Sequence, residues 1–257
     1  MFVNITYIGH ATVLVDTGSC KFITDPLLVQ RIAWIGPKRK VSLQIKSGSL
    51  DDIDFITISH GHFDHLDLRS LRMINQDVPV VCHPTLQRIV HKTKHKPRPL
   101  SWWESTEING IKITAGPAFH FSARPPFHFS VDYQGYIIEA EKTFYHAGDG
   151  GMNEWYKEVG KRFKTNIAFL PIGGYHPPSY RKLHLSPEDA LDALVIMNAD
   201  LLIPIHWGTF ILSREPIDEP PKRLLEYAEK KDLQHRVKVV KPGENIELYQ
   251  EERKRMK

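Results

Sequence analysis

The feature of this chain that most constrains its fold is a group of metal-binding residue types placed directly after a short apolar run. Residues 53–59 (IDFITIS) are too few for a helix and rich in β-branched side chains, which predicts a buried strand that ends in a loop. The loop, residues 60–65, reads HGHFDH. Three imidazoles and one carboxylate so close together seldom serve packing alone, whereas both groups are good ligands for divalent metals. The sequence therefore predicts a metal site at the end of this strand.

Further potential ligands stand at the ends of other predicted strands. His120 follows the strand IKITAG, Asp149 lies in an AGD segment after another strand, and His206 ends the strand LLIPI. Together with the loop they supply five His and two Asp, enough for two metal sites that each keep an open position for water. We expect one site to contain His60, His62 and His120, the other to contain Asp64, His65 and His206, and Asp149 to bridge them.

The remaining chain alternates short apolar runs with helical segments. Asn109-Gly110 is a type I′ turn signal between two strands, and Ser186-Pro187 supplies an N-cap and a first-turn proline for a helix. Residues 66–75 look helical, and residues 237–248 look like closing strands. We find no internal repeat or linker-like tract, so we expect a single α/β domain over residues 1–257 with two β layers and helices outside.

The composition is that of a folded globular protein, with 41% hydrophobic residues, 25% charged residues and 2 Cys in 257 residues. No apolar run approaches the ~20 residues of a membrane span, and the N-terminus lacks the regions of a signal peptide. The net charge of +4 is smaller than that of most nucleic-acid binders. We expect a cytoplasmic protein that binds no nucleic acid and is not stably inserted in a membrane; a homo-oligomer is left open.

The loop at residues 60–65, with His120, Asp149 and His206, resembles the metallo-β-lactamase superfamily, and this resemblance implies its four-layer αββα sandwich. Other segments resemble, in the same order, the N-acylphosphatidylethanolamine-hydrolysing phospholipase D branch, whose relatives include ascorbate-6-phosphate lactonase-like proteins. These segments are residues 8–13, 24–26, 36–39, 102–104, 160–163, 171–173 and 205–210. The resemblance implies a metal-dependent hydrolase, most simply a phosphodiesterase.

The expected chemistry follows from a pair of cations. Two divalent ions about 3.5–4 Å apart lower the pKa of a shared water and stabilise the attacking and leaving oxygens of a displacement. We therefore expect a metal-bridging hydroxide as nucleophile, with the ligand carboxylates Asp64 and Asp149 counted as catalytic. Zn²⁺ is the leading metal, and Mn²⁺, Fe²⁺ or Ni²⁺ suit the same ligands. The cations leave a net positive charge, which favours a small anionic ester or phosphodiester as substrate.

Other residues are candidates for the surroundings of the metals. His10, Arg124 and Tyr175 lie in segments that match the phospholipase branch, and we assign them to substrate binding. Arg124 would clamp a phosphate, although an exposed loop arginine is the competing interpretation. The resemblance implies that His184 lies near the head group, where it would give a proton to the leaving group, or else it is a surface histidine. Asp25 would accept a hydrogen bond from a ligand imidazole, or else form an ordinary Asp-Pro turn.

Three alternative functions stay open. A lactonase would use the same hydroxide on a ring ester, and a nucleic-acid-processing nuclease would use the same sandwich. A ligand-binding module would keep the fold without turnover. Residues 124–144 are shorter and poorer in Trp than the matching region of the animal phospholipase. A soluble phosphodiester or a phosphorylated lactone therefore fits as well as a bilayer phospholipid.

Overall fold

The structure is a computed structural model that describes residues 2–121, 124 and 133–249. Its strands are β1 (Phe2–Gly9), β2 (Thr12–Asp16), β3 (Lys21–Thr24), β4 (Phe55–Ile58), β5 (Val80–Cys82), β6 (Pro97–Pro99), β7 (Ser105–Ile108), β8 (Ile111–Pro117), β9 (Gln134–Glu139), β10 (Thr143–His146), β11 (Ile167–Pro171), β12 (Leu201–Ile205) and β13 (Asn245–Tyr249). Its α-helices are α1 (Leu68–Leu71), α2 (Gln87–Val90), α3 (Trp155–Arg162), α4 (Pro187–Ile196) and α5 (Glu219–Lys230). Among the described residues, no helix is long and apolar enough to cross a bilayer.

The strands form two sheets whose directions bring the predicted ligands to one edge. The first sheet has the order β13-β1-β2-β3-β4-β5-β6, and the second has the order β12-β11-β10-β9-β8-β7. In the first sheet β1, β2 and β3 alternate in direction, and β3 to β6 run parallel. In the second sheet β10, β11 and β12 run parallel, and β7 to β10 alternate. Consequently β1 and β4 share one direction, as do β8, β10 and β12, so their carboxyl ends meet at one edge of each sheet.

Apolar side chains on both faces of each sheet build four layers. Between the sheets, Phe22 stacks on Phe55 at 5.2 Å and meets Phe144 of the second sheet edge-on at 5.5 Å. Helices α3, α4 and α5 cover the outer face of the second sheet with residues such as Leu194. Helices α1 and α2 cover part of the outer face of the first sheet with residues such as Leu71. This arrangement confirms the predicted αββα sandwich.

Local signals in the sequence are confirmed where turn and cap chemistry decides the backbone. Asn109 and Gly110 have φ values of 51° and 79°, the two positive values that a type I′ turn requires, and they join β7 to β8. The Ser186 side chain accepts a hydrogen bond from the Asp189 backbone N–H, and the Asp189 side chain accepts one from the Ser186 N–H. This capping box begins α4 at the predicted proline.

Two predicted elements are shorter than expected. The helix predicted over residues 66–75 is α-helical only in α1, after which the chain continues through turns toward β5. The strands predicted over residues 237–248 reduce to an isolated bridge at Val237 and to β13. Pro242 has no N–H to give to a strand ladder, and Gly243 has a φ of 90°, so the chain turns there before β13.

Candidate metal centre

The predicted ligands meet at the shared carboxyl edge of the two sheets. The loop 60–65 leaves β4, His120 follows β8, Asp149 follows β10 and His206 follows β12. Their potential ligand atoms fall into overlapping groups, and within each group the atoms lie within 4.8 Å of one another. The groups are His60, His62 and His120; His10, Asp64, His65 and His206; His60, His65 and Asp149; and His120, Asp149 and His184. All the predicted ligands are thus brought together, and His10 and His184 lie beside them.

Three imidazole nitrogens form the first group. His60 Nε2 lies 2.9 Å from His62 Nδ1, and His120 Nε2 lies 3.4 Å from the same atom. Ser59 Oγ donates to Asp25 Oδ2 at 2.5 Å and lies 3.0 Å from His60 Nδ1. Because the hydroxyl proton is used by Asp25, the hydroxyl oxygen accepts from His60 Nδ1. The lone pair of His60 is therefore on Nε2 and faces the group.

Oxygen acceptors orient two further imidazoles in the same way. His120 Nδ1 donates to the Leu183 carbonyl at 2.9 Å, and His65 Nδ1 donates to Asp25 Oδ2 at 2.7 Å. Because a carbonyl or an ionised carboxylate can only accept, both imidazoles carry their proton on Nδ1. Nε2 of each ring therefore faces the cluster, with a lone pair in His120 and in the neutral form of His65. The prediction that Asp25 accepts from an imidazole of the cluster is confirmed.

Asp149 lies between the two main groups. Its Oδ2 is 3.2 Å from His65 Nε2, and its Oδ1 is 3.2 Å from His206 Nε2. Asp64 Oδ2 lies 3.8 Å from His65 Nε2 and 2.9 Å from His10 Nε2. Asp149 Oδ2 also lies 3.8 Å from His120 Nε2, so of the two carboxylates Asp149 is the one that reaches imidazoles of both groups.

Several buried atoms of this cluster have no hydrogen-bond partner among the described residues: His65 Nε2, Asp149 Oδ1, His184 Nδ1 and His206 Nε2. An unpaired buried polar atom costs about 1–3 kcal/mol. Here Asp149 lies 3.2 Å from both His65 Nε2 and His206 Nε2, yet no hydrogen bond satisfies these atoms. Imidazole nitrogens and a carboxylate oxygen thus converge on one volume, and they are the donor set of a zinc-like divalent cation. The residues present therefore fit a metal centre.

Burial keeps most of the imidazoles neutral. It lowers the pKa of His120 to about 3 and that of His10 to about 4, and it holds the pKa of His60 well below its usual range. Neighbouring imidazoles add to the effect for each of the three. A neutral imidazole is the form that binds a metal, so these side chains need not lose a proton before they coordinate one.

The carboxylates are ionised and attract positive charge. Burial alone would raise the pKa of Asp149, but His206 and His65 hold it well below its usual range. Burial would likewise lower the pKa of His65, but Asp149 and Asp64 outweigh it and raise that pKa well above its usual range. A bound cation would meet the same demand for positive charge and release the proton from His65.

Strained backbone accompanies the cluster. His10 and His206 have φ values of 60° and 62°, in the left-handed region that costs a non-glycine residue about 1–3 kcal/mol. The His206 N–H donates to the His10 carbonyl at 2.7 Å, and the His10 N–H donates to Thr209 Oγ1 at 2.9 Å, so hydrogen bonds fix both backbones. Gly148, with a φ of 63°, lets the Asp149 loop approach Ser59, since a Cβ there would lie 2.4 Å from the Ser59 Cβ.

Arg124, which we expect to clamp a phosphate, contacts the backbone of the ligand loop. Its Nη1 donates to the carbonyls of Gly61 at 3.0 Å and Leu66 at 2.7 Å, and its guanidinium lies 4.1 Å from the centre of the Phe63 ring. The residue is only 6% exposed, so it is not the exposed loop arginine of the competing interpretation. Through Nη1, Arg124 holds the backbone of the ligand loop from outside the cluster, and its assignment to substrate binding stays a prediction.

The cluster opens into a recess of about 180 Å³. Its lining residues are His62, Asp64, Asp149, Gly174, Tyr180, His184, His206, Leu212 and Ser213. His184 lines this recess, with Nδ1 3.8 Å from Asp149 Oδ2. The other two substrate candidates do not line the recess: Tyr175 donates its hydroxyl to Glu219 Oε1 at 2.9 Å, and buried His10 packs against Asp64. Tyr175 and His10 thus have partners inside the protein, and their assignment to substrate binding stays a prediction.

Sequence reasoning missed two groups that orient the imidazoles. Ser59 is visible in the sequence as a hydroxyl beside His60 at the end of a strand, but nothing local indicates that it orients an imidazole. The Leu183 carbonyl acts on His120 from 63 residues away, and a backbone carbonyl leaves no signal in the sequence.

Comparison with known proteins agrees with this geometry. A family model described as a beta-lactamase superfamily domain matches residues 12–207. N-acyl-phosphatidylethanolamine-hydrolyzing phospholipase D 1 of Caenorhabditis elegans is 33% identical over 243 residues, covering 86% of this chain and 68% of that protein. A UPF0173 metal-dependent hydrolase of Aeropyrum pernix is 30% identical over 258 residues, covering 95% of this chain and 97% of that one. The solved structure of Igni18, a metallo hydrolase from Ignicoccus hospitalis, has a TM-score of 0.73 at 22% identity and covers 97% of this chain and 99% of its own. The chain therefore belongs to the beta-lactamase superfamily and has the metallo-β-lactamase fold.

Proposed function

We propose that this protein is a dinuclear metal-dependent hydrolase that cleaves phosphodiesters in the manner of the phospholipase D branch. The observation that carries the proposal is the convergence of His and Asp donor atoms on one buried volume, where several of them have no other partner. The names of two relatives, a phospholipase D and a metal-dependent hydrolase, support the class of reaction.

We assign the donor atoms to two cations. One would be held by His60 Nε2, His62 Nδ1 and His120 Nε2, the other by Asp64, His65 and His206, with Asp149 between them. When bound, two divalent cations activate a water and offset the negative charge that develops on the substrate oxygens. Zn²⁺ is the first choice for this His/Asp set, and Mn²⁺, Fe²⁺ and Ni²⁺ are accepted by the same donors.

The protein's own residues supply orientation and a proton. Asp25 and Ser59 keep the Nε2 lone pairs of His65 and His60 turned toward the cluster. We assign proton donation to His184, whose partly exposed ring lines the recess. Burial lowers the pKa of His184, so at neutral pH the ring is neutral and can first accept a proton. It would take that proton from the attacking water and then pass it, as the imidazolium, to the leaving oxygen.

The size of the recess favours a small reacting group. Its volume of about 180 Å³ is below the ~300–1,000 Å³ of sites that enclose a whole drug-sized ligand. A phosphate with its nearest substituents fits such a space, and the rest of a larger substrate would lie outside it. The proposal therefore concerns the phosphodiester group, which a soluble molecule and a lipid head group share.

Turnover of bis(p-nitrophenyl) phosphate by the Zn²⁺-loaded protein, measured beside a panel of lactones, tests the proposal. We expect phosphodiester hydrolysis that a chelator abolishes and added metal restores. His62→Ala and Asp149→Ala should abolish it and lower the metal content, whereas His91→Ala, which removes an exposed histidine, should leave both unchanged.

Each other outcome of this assay has a definite meaning. Hydrolysis of lactones but not of the phosphodiester would show that the protein is a lactonase and not a phosphodiesterase. A fully metal-loaded protein that hydrolyses neither class would contradict the enzymatic function. Cleavage of oligonucleotides in preference to small diesters would favour the nuclease.

A further inference from the structure

An ordered loop near the ligand motif holds two large apolar side chains in solvent. Trp34 is 82% exposed and Ile35 is 93% exposed, the highest values among the large apolar residues that the structure describes. The loop is closed by backbone hydrogen bonds from Ile32 N to the Pro37 carbonyl at 3.1 Å and from Gly36 N to the Ile32 carbonyl at 3.0 Å. A Cβ on Gly36 would lie 2.6 Å from that Ile32 carbonyl oxygen, so the turn depends on glycine. The two side chains are therefore held outward by a defined turn.

Cations surround this apolar tip. The Arg69 guanidinium lies 5.2 Å from the centre of the Trp34 ring, and its Nη2 donates to the Arg31 carbonyl at 2.7 Å. A concavity of about 230 Å³ opens beside Trp34, and its charged lining residues are Asp67, Arg69, Arg72, Lys92 and Arg124. Asp67 is the one acid among those described lining residues, and its carboxylate pairs with Arg69 at 2.7 Å. Because Arg69 is paired and Arg124 is buried, the exposed positive charge beside the tip comes from Arg72 and Lys92.

This combination of groups matches the surface of an anionic membrane. Trp favours the head-group level of a bilayer, an aliphatic side chain enters the acyl boundary, and anionic head groups attract the surrounding cations. A soluble anion would bind to the cations alone and would make no contact that requires Trp34 or Ile35 to be exposed. A nucleic acid would stack on Trp34 but would leave Ile35, the more exposed of the two, in water. We propose that Trp34, Ile35 and the cations around them dock this protein reversibly on membranes that contain anionic lipids.

Docking through this surface would bring the metal centre close to the lipid. Phe63 lines the concavity beside Trp34, whereas its chain neighbours His62 and Asp64 line the recess of the metal centre. The two cavities are therefore separated by one loop. Exposed Tyr180 and Leu212 add apolar surface at the recess itself. The inference does not depend on the proposed reaction, because it uses only the shape and charge of the surface.

Co-sedimentation of the full, metal-loaded chain with lipid vesicles tests the proposal. We expect binding to vesicles of phosphatidylglycerol and phosphatidylcholine, weaker binding at high salt, and little binding to phosphatidylcholine alone. The double variant Trp34→Ser, Ile35→Ser should bind about tenfold or more weakly, because both inserting side chains are lost. Val195→Ser with Ile196→Ser is the matched control, since these adjacent residues of α4 are 46% and 45% exposed and should leave binding unchanged.

A second pair of substitutions tests whether the cations beside Trp34 contribute to vesicle binding. Arg72→Gln with Lys92→Gln should weaken binding about fivefold for each cation removed. Lys230→Gln with Lys231→Gln, at the end of α5, removes the same charge from another surface and should have a much smaller effect.

Three results would overturn the proposal. The first is vesicle binding that the Trp34 and Ile35 substitutions leave intact, and the second is an equal loss in the α4 control. The third is binding only to a single-stranded oligonucleotide that depends on Trp34, which would make the surface a nucleic-acid site. Hydrolysis of a soluble diester by the tip variant is expected to stay normal, which separates this proposal from the catalytic one.

Discussion

Asp25 is the residue on which the orientation of the cluster imidazoles most depends. It is wholly buried, and its carboxylate accepts hydrogen bonds from the Ser59 N–H at 2.7 Å, the Ser59 hydroxyl at 2.5 Å and His65 Nδ1 at 2.7 Å. Through Ser59 it also fixes the proton of His60. One carboxylate outside the ligand groups therefore sets the proton positions of an imidazole in each of them.

Asp25→Asn should weaken metal binding by about 10–100-fold, because an amide can donate to His65 Nδ1 and so favour the tautomer with its proton on Nε2. The measurement is the dissociation constant of each metal by calorimetry. Asp52→Asn, an exposed acid, serves as the control. Equal affinities in the wild-type and Asp25→Asn proteins would show that Asp25 is only a structural residue.

His95 is a buried histidine outside the metal groups and gives a separate prediction for acid stability. It is 1% exposed, its Nδ1 lies 2.9 Å from Thr93 Oγ1, and its Nε2 has no partner among the described residues. Burial lowers its pKa in the folded state below the value of about 6.5 that it has when unfolded. The unfolded chain thus binds the proton first, so this stabilising contribution is present above about pH 6.5 and is lost as the pH falls below it.

His95→Gln should therefore reduce the loss of unfolding free energy between neutral and mildly acidic pH. Urea unfolding at a series of pH values measures it, with His91→Gln as an exposed control. The same pH slope in His95→Gln and wild type would refute the assignment.

At the scale of elements, the loop between β4 and α1 carries most of the ligands and is fixed from both ends. The parallel strand β4 aims it at the shared sheet edge, and Asp67 caps α1 by accepting from the Ser70 N–H at 2.8 Å. Between these ends Arg124 bonds to the carbonyls of Gly61 and Leu66. The loop is therefore held by its neighbours in the sheet, by a helix cap and by one distant side chain.

Arg124→Met keeps most of the side-chain length and packing on Phe63 but removes the donors to the loop. We expect a loss of about 1–3 kcal/mol in unfolding free energy, because buried carbonyls lose a charged partner. Metal affinity should fall, while KM for a phosphodiester at saturating metal stays near the wild-type value. Arg88→Met, which removes an exposed arginine of α2, is the control. A rise in KM without a loss of metal affinity would instead support the interpretation that Arg124 binds the substrate phosphate.

At the scale of the whole molecule, the features that the sequence predicts are those decided by nearby residues. The turn at Asn109-Gly110 and the cap at Ser186-Pro187 depend on the conformation of their own backbone. The loop 60–65 has its four potential ligands within one short segment, so they can be recognised together. Strand direction then suffices to bring distant ligands to one edge. The partners of Arg124 lie 63 and 58 residues away, and nothing local distinguishes an arginine that binds backbone carbonyls from one that binds phosphate. Such roles depend on tertiary contacts and are visible only in the folded chain.

The central claim is that side chains from both sheets hold a pair of cations, and anomalous diffraction from crystals of the metal-loaded protein tests it most directly. We predict two anomalous peaks at the metal edge, one beside His60, His62 and His120 and the other beside Asp64, His65 and His206, with Asp149 reaching both. A single peak, or peaks only at surface residues, would contradict the account.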